Sequence, residues 1–407
     1  MNIQTDTTRL RRALGIPLLV FYGLGVTIGA GIFALIGEIV RLAGDHAPQA
    51  FLLAGLIAGA TGWSYALLVS VYPRAAGEAV FVKIGMGAMA GRIVGLGITL
   101  TAIISSAVVS IAFGGYLGTL LPIPQTVMVL GVLLVLSIVA WMGVKQSVIF
   151  AAVITVLEVG SLIVIALSGA PLLTDAPLLL KVVTPPSDAV AWAAVFSATI
   201  IAFFAFIGFE DMVNMAEETI DPKRVMPKAI ILTLLITVVL YALISTIAVA
   251  LPDREALTSS SAPLAVLFEA VTGLSGKPIA VLASIAMVNG ILIQIIMASR
   301  VTYGMAREGL IPSWFGKVGE QRRTPGRAIA LVTLLIVILA LGFPLVHLAQ
   351  AISIVILVVF TSVNLSLWII GSRQETATVL KRWRYWGVVG VLMSSGLLIA
   401  EAWRMLT

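Results

Sequence analysis

The chain of 407 residues contains no cysteine, only two histidines and very few charges. Without cysteine there can be no disulfide, iron–sulfur cluster or thiolate metal site. His46 and His347 lie far apart near segment ends, so no histidine pair is placed to hold a metal. Charged residues make up 11% of the chain and hydrophobic ones 60%, with a mean hydropathy of +1.12. A soluble domain carries about 25% charged residues. The charges here are too few to cover a soluble surface, and the composition is that of a polytopic membrane protein. No Gly-x-x-x-x-Gly-Lys sequence is present, so no P-loop couples the chain to ATP. No nucleophile with a base, metal constellation or cofactor motif marks an intramembrane enzyme, and no cofactor is expected.

What is present is a series of apolar runs. A bilayer-spanning helix needs roughly 20 mostly apolar residues. Eleven segments are expected, at 16–41, 48–72, 92–120, 125–142, 148–170, 189–216, 226–251, 278–306, 327–343, 345–371 and 385–405. Prolines mark many of the breaks, among them Pro48, Pro73, Pro122, Pro171, Pro252 and Pro344. No small-residue cleavage site follows the first segment, which is therefore read as a span and not as a removable signal peptide. Residues 74–91 suggest an interfacial helix, residues 252–277 an extracellular lid loop, and Trp383, Tyr385 and Trp386 an interfacial belt.

Orientation follows from lysine and arginine placement. With the N-terminus cytoplasmic, all but five of the 25 lysines and arginines fall in inside regions; the five are Arg41, Lys181, Arg254, Lys277 and Arg404. This asymmetry accounts for the net charge of +6 without any nucleic-acid partner. Eleven spans place the C-terminus outside. The expected setting is the plasma (inner) membrane, multi-pass.

Two segments are interrupted at their centres. The first carries Gly25-Val-Thr-Ile-Gly-Ala-Gly-Ile-Phe33, whose small residues let the backbone leave the helix and keep it uncovered. Unwound backbone at bilayer depth is tolerated only where it is buried in protein or lines a cavity; the alternative is a small-residue patch for close helix packing. The sixth carries Phe203-Phe-Ala-Phe-Ile-Gly-Phe-Glu-Asp211, a glycine followed by two acids near mid-helix. Paired interrupted segments in corresponding halves point to a transporter site. Five spans separate their starts, so the second copy enters from the opposite side. This gives an inverted repeat within one transmembrane domain: 1–170, then 185–371, with an additional helix at 385–405. The outer half of the first helix, starting near Ile32-Phe33, offers free N–H groups, which suit a carboxylate. The outer half of the sixth, ending near Phe206-Ile207, offers carbonyls, as does the inner half of the first at Val26-Thr27. Donors on one side and acceptors on the other match an α-amino acid zwitterion.

These residues resemble permeases of the amino acid–polyamine–organocation superfamily. Gly25 to Phe33 is similar to that family's first-helix motif and Phe203 to Asp211 to its sixth. Glu217-Glu-Thr-Ile-Asp-Pro-Lys-Arg-Val-Met-Pro227 is similar to the loop that follows, and Ile293 to Pro312 to the eighth helix and its exit. The four motifs occur in order over about residues 15–312. The resemblance implies an all-α, LeuT-like fold of five-plus-five inverted repeats with discontinuous helices 1 and 6, and alternating access. It implies backbone binding of substrate at Thr27, Ile28, Gly29, Ala30 and Gly31, and at Ala205 and Ile207, with Phe204 as aromatic gate. Many members have twelve spans, where this chain is read to have eleven.

Glu158 stands in the middle of the fifth segment, where a charge costs about 2.5–3.5 kcal/mol on insertion scales. By position it resembles the site where some proton-coupled relatives hold a lysine and sodium-coupled ones bind the ion. It could accept a proton, coordinate a cation or pair with Arg300 or another base. The expected coupling ion is H+, with Na+ second. For Glu210 and Asp211 the alternatives are capping of the discontinuous helix and contact with substrate. The third segment carries Thr101, Ser105, Ser106 and Ser110 but no acid, which favours a neutral or hydrophobic amino acid; a cationic one requires Glu158 or Asp211 to reach the pocket. Asn289 and Gln294 are further polar candidates on the eighth segment. The expected function is secondary transport of amino acids by proton symport or exchange. The alternatives are a cationic amino acid or polyamine exchanger of the same fold, and, from another class, an amino-acid-sensing receptor or a channel. A channel would show a polar stripe or charged ring along several helices, and none is visible.

Overall fold

Each expected apolar segment is helical in the computed structural model, which describes residues 14–74, 77–142, 148–174, 176–307, 312–317 and 324–406. In chain order the helices are α1 (Ile16–Ala43), α2 (Ala47–Val71), α3 (Gly77–Met86), α4 (Ala88–Gly118), α5 (Gln125–Met142), α6 (Val148–Gly169), α7 (Ala176–Val183) and α8 (Ala189–Phe204). They continue with α9 (Pro222–Ala250), α10 (Arg254–Thr258), α11 (Pro263–Thr272), α12 (Lys277–Arg307), α13 (Gly326–Gly342), α14 (Leu345–Gly371) and α15 (Thr378–Leu406). Among the described residues, α3, α7, α10 and α11 are short connectors, and the other eleven helices take up the eleven expected segments.

Nine described stretches are long and apolar enough to cross a bilayer. One of them, Gly31–Val71, joins the outer part of α1 to α2 through a single 3-10 turn at Gly44–His46, and α13 is a shorter apolar helix. Helices are what this setting demands, because a bilayer offers no water to satisfy exposed backbone groups. Prolines stand in the first turn of α1, α2, α9 and α11, where a missing N–H costs nothing. Asp188 caps α8 by accepting from the Ala191 N–H at 2.8 Å.

α1 sits at the centre, packed against α6, α8, α9 and α12, with α2, α4 and α14 around them. α5, α13 and α15 lie outside and turn large apolar residues outward, among them Leu134, Ile138, Leu334, Ile338, Leu392 and Ile399. The helix expected in 74–91 is present as α3. The loop expected at 252–277 holds α10 and α11. Trp386, expected in an interfacial belt, donates its indole N–H to the Ala60 carbonyl of α2 at 2.8 Å. Arg9, Arg11, Arg12, Lys145, Arg322 and Arg323, counted above as inside charges, lie outside the described residues.

Several boundaries differ from expectation. α4 begins at Ala88 and not at 92, running on from α3 after Gly87, α9 begins at Pro222 and not at 226, and α15 begins at Thr378 and not at 385. The sixth segment does not continue as α-helix after its break: Phe209–Met215 is a 3-10 helix. This tighter form accommodates Gly208, whose φ of +127° lies outside the range of a right-handed helix.

Candidate functional site

The break in α1 falls at Gly29, with φ −32° and ψ −138°, so the outer half starts two to three residues earlier than expected. α8 ends at Phe204, and the N–H groups of Ala205, Phe206 and Ile207 turn back to the carbonyls of Ala202, Phe203 and Phe204. The two breaks touch. A Cβ on Gly31 would stand 2.5 Å from the Ala205 Cα, and one on Gly208 would stand 2.7 Å from the Val26 carbonyl oxygen. Only glycine serves at 208, which combines a positive φ with backbone against backbone. The inner pieces are joined again at their far ends. There the Leu14 N–H donates to the Glu218 carbonyl at 3.1 Å and the Ile220 N–H to the Leu14 carbonyl at 2.9 Å, the latter pair forming part of a Leu14–Thr219 bridge.

A hydroxyl from a third helix holds the breaks together. Tyr241 of α9 is fully buried, and its OH lies 3.2 Å from the Thr27 carbonyl and 3.0 Å from the Ala205 carbonyl. Its single hydrogen is shared between two carbonyls left open by the breaks. Phe51 and Phe206 pack edge-on against its ring, with centroids at 5.5 and 5.1 Å. Nothing in the sequence singles out this residue: α9 reads as a plain apolar span.

Beside the breaks lies a cavity of about 220 Å³. That is below the roughly 300–1,000 Å³ of drug-sized sites and suits a small solute. Of the expected site residues, Thr27, Gly29, Gly31, Phe204, Ile207 and Glu158 line it. Ile28 points into the core, and Ala205, whose carbonyl accepts from Tyr241, is not among the lining residues. The Ala30 side chain lies outside the described residues. Asp211, Ser105, Asn289 and Gln294 also line the cavity, together with Tyr22 and Thr155, which the sequence did not mark. The Thr27 hydroxyl is buried and makes no hydrogen bond among the described residues. Gln294 is held in place, donating to the Ser105 hydroxyl at 2.9 Å and accepting from Ser106 at 3.1 Å. The cavity runs toward Leu18, Tyr22, Ala152 and Met297, that is, toward the end of the bundle where α1 begins.

The acids fall into separate roles. Glu158 is 2% exposed and joins no ion pair among the described residues, and Arg300 is exposed elsewhere on α12. Glu210 is buried and accepts from the Gly208 N–H at 2.8 Å, which makes it a cap for the break. Asp211, one residue on, faces the cavity. Among the described residues, two carboxyl groups therefore line the cavity and no lysine or arginine does.

An all-helical membrane bundle whose two discontinuous helices meet at an internal cavity has the build of a transporter. Comparison with known proteins gives the family. Residues 14–403 match the model described as amino acid permease, and the chain belongs to that family. It is 30% identical to an uncharacterized transporter of Mycobacterium tuberculosis strain H37Rv, over 81% of this chain and 74% of that one. It is 25% identical to the branched-chain amino acid permease BcaP of Lactococcus lactis, over 86% of this chain and 80% of the relative. To cationic amino acid transporter 2, vacuolar, of Arabidopsis thaliana it is 28% identical, over 91% of this chain and 61% of the relative.

Proposed function

We propose that the chain is a secondary transporter that moves neutral or hydrophobic amino acids across the plasma membrane by alternating access, as a proton symporter or an exchanger. The observation that carries this is the cavity at the two helix breaks, where small-solute volume meets exposed backbone and the unpaired Thr27 hydroxyl. In this reading the substrate carboxylate takes the free N–H groups at the start of the outer half of α1. The substrate ammonium takes carbonyls on the opposite side, and Phe204 covers the site. Thr27 to Gly31, Ala205 and Ile207 bind through main chain. Glu158 holds the coupling proton, in keeping with its burial beside the cavity. The inverted pairing of 1–170 with 185–371 and a cytoplasmic N-terminus with the C-terminus outside belong to the same reading.

A second reading has an observation of its own. Both Glu158 and Asp211 reach the cavity, which meets the condition for a cationic side chain. The names of two relatives, one branched-chain and one cationic, divide along the same line.

Uptake into proteoliposomes under separate proton and sodium gradients tests both readings. Branched-chain uptake should respond to the proton gradient, and Glu158→Gln should uncouple it. Counterflow that ignores both gradients and survives Glu158→Gln would make the protein an exchanger and remove the carboxyl from coupling. Lysine or arginine outcompeting leucine would favour the cationic reading.

A further inference from the structure

The segment 252–276 crosses the outer half of α1 and is seated there without a side chain between the backbones. A Cβ on Gly37 of α1 would stand 2.7 Å from the Leu257 carbonyl oxygen, and one on Gly115 of α4 would stand 2.7 Å from the Ser261 carbonyl oxygen. Between these seats stands Tyr116 of α4, fully buried. Its hydroxyl donates to the Phe33 carbonyl at 2.6 Å and accepts from the Leu264 N–H at 3.2 Å. Leu264 is in the first turn of α11, where an N–H has no partner inside its own helix. Phe33 lies four residues beyond the break at Gly29, on the half of α1 that this break frees to tilt. One hydroxyl thus senses both the crossing segment and the outer half of α1. A peripheral ion pair, Arg254 to Asp45 at 2.6 Å, closes the far edge. It is partly exposed, so it adds little. None of residues 252–276 lines the cavity, which extends the other way.

We propose that Tyr116 is a positioning residue that pins the 252–276 segment over the outer half of α1, and that Gly37 and Gly115 are the seats that let it close. This rests on the alternating-access reading above and names the parts of the outer closure. When the outer half of α1 tilts, Phe33 withdraws its carbonyl and the Tyr116 hydroxyl loses its acceptor, which weakens its own hold on the Leu264 N–H, so the segment and α1 release together. Closing requires both seats to be free of side chains.

The chain has no native thiol, so Val109→Cys places a single cysteine in the cavity wall. The experiment is labelling of that cysteine by a membrane-impermeant maleimide in sealed vesicles, added to one face at a time. In the parent, labelling from the face bearing 252–276 should be the slower. Adding Tyr116→Phe, which keeps the ring against Phe33, should raise that rate roughly tenfold, the shift that one lost buried hydrogen bond allows. Labelling from the opposite face should fall. Gly115→Val should act in the same direction. Unchanged labelling in both variants, or an equal rise from both faces as in a loosened bundle, would overturn the proposal. A rise from the one face in a protein that carries no amino acid would support the pin and overturn only the transport reading.

Discussion

At the scale of single residues, Tyr241 is the contact on which the site geometry depends. A buried carbonyl stripped of its donor costs about 1–3 kcal/mol, and the Tyr241 hydroxyl serves two of them. Tyr241→Phe keeps the aromatic packing with Phe51 and Phe206 and removes only the hydroxyl. Its melting temperature in detergent should fall, and amino acid binding should weaken about tenfold or more; unchanged values for both would mean that the hydroxyl holds nothing. Gly29 shows a different logic. Nothing lies within 4 Å of a Cβ built there, so the space beside it is the cavity itself. Gly29→Leu should fill that space and abolish substrate binding while the protein still inserts. Normal binding by a correctly inserted Gly29→Leu protein would sink the backbone site. The sequence shows Gly29 because three small residues mid-span are conspicuous, and hides Tyr241 because a tyrosine in an apolar run is ordinary.

At the scale of elements, α3 carries a titration outside the spans. Burial raises the Glu78 carboxyl to about 8, with the charge of Asp211 adding to the rise. The folded protein therefore holds a proton that the unfolded chain, near 4.5, gives up. This contribution favours the fold at low pH and is lost as pH rises from about 4.5 to about 8, by up to about 1.4 kcal/mol per pH unit. The melting temperature should decline across that window, and Glu78→Gln should decline less steeply. Parallel curves for the two proteins would show that Glu78 is not the group. The sequence suggested an interfacial helix at 74–91 but not this burial. It comes from tertiary packing, in which a Cβ on neighbouring Gly77 would lie 2.5 Å from Val213.

At the scale of the whole molecule, the bundle was legible because the bilayer sets a length and an apolarity that few other structures need. The two breaks were legible from glycines flanked by apolar residues. Their exact register was not, because it depends on contacts between α1 and α8 far apart in sequence: Gly31 against Ala205 and Gly208 against Val26. The 3-10 form of 209–215 was hidden for the same reason, being set by Gly208 and its Glu210 cap. Of the two acids the sequence treated alike, packing turned one into a cap and sent the other to the cavity. The Leu14–Thr219 bridge has a mechanical consequence. The inner piece of α1 and the 209–215 turn are fastened at both ends, by that bridge and by Gly208 on Val26. In the proposed alternating-access cycle they act as one door leaf hung on two hinges, Gly29 and residues 205–207, and one rotation would move both pieces clear of the cavity.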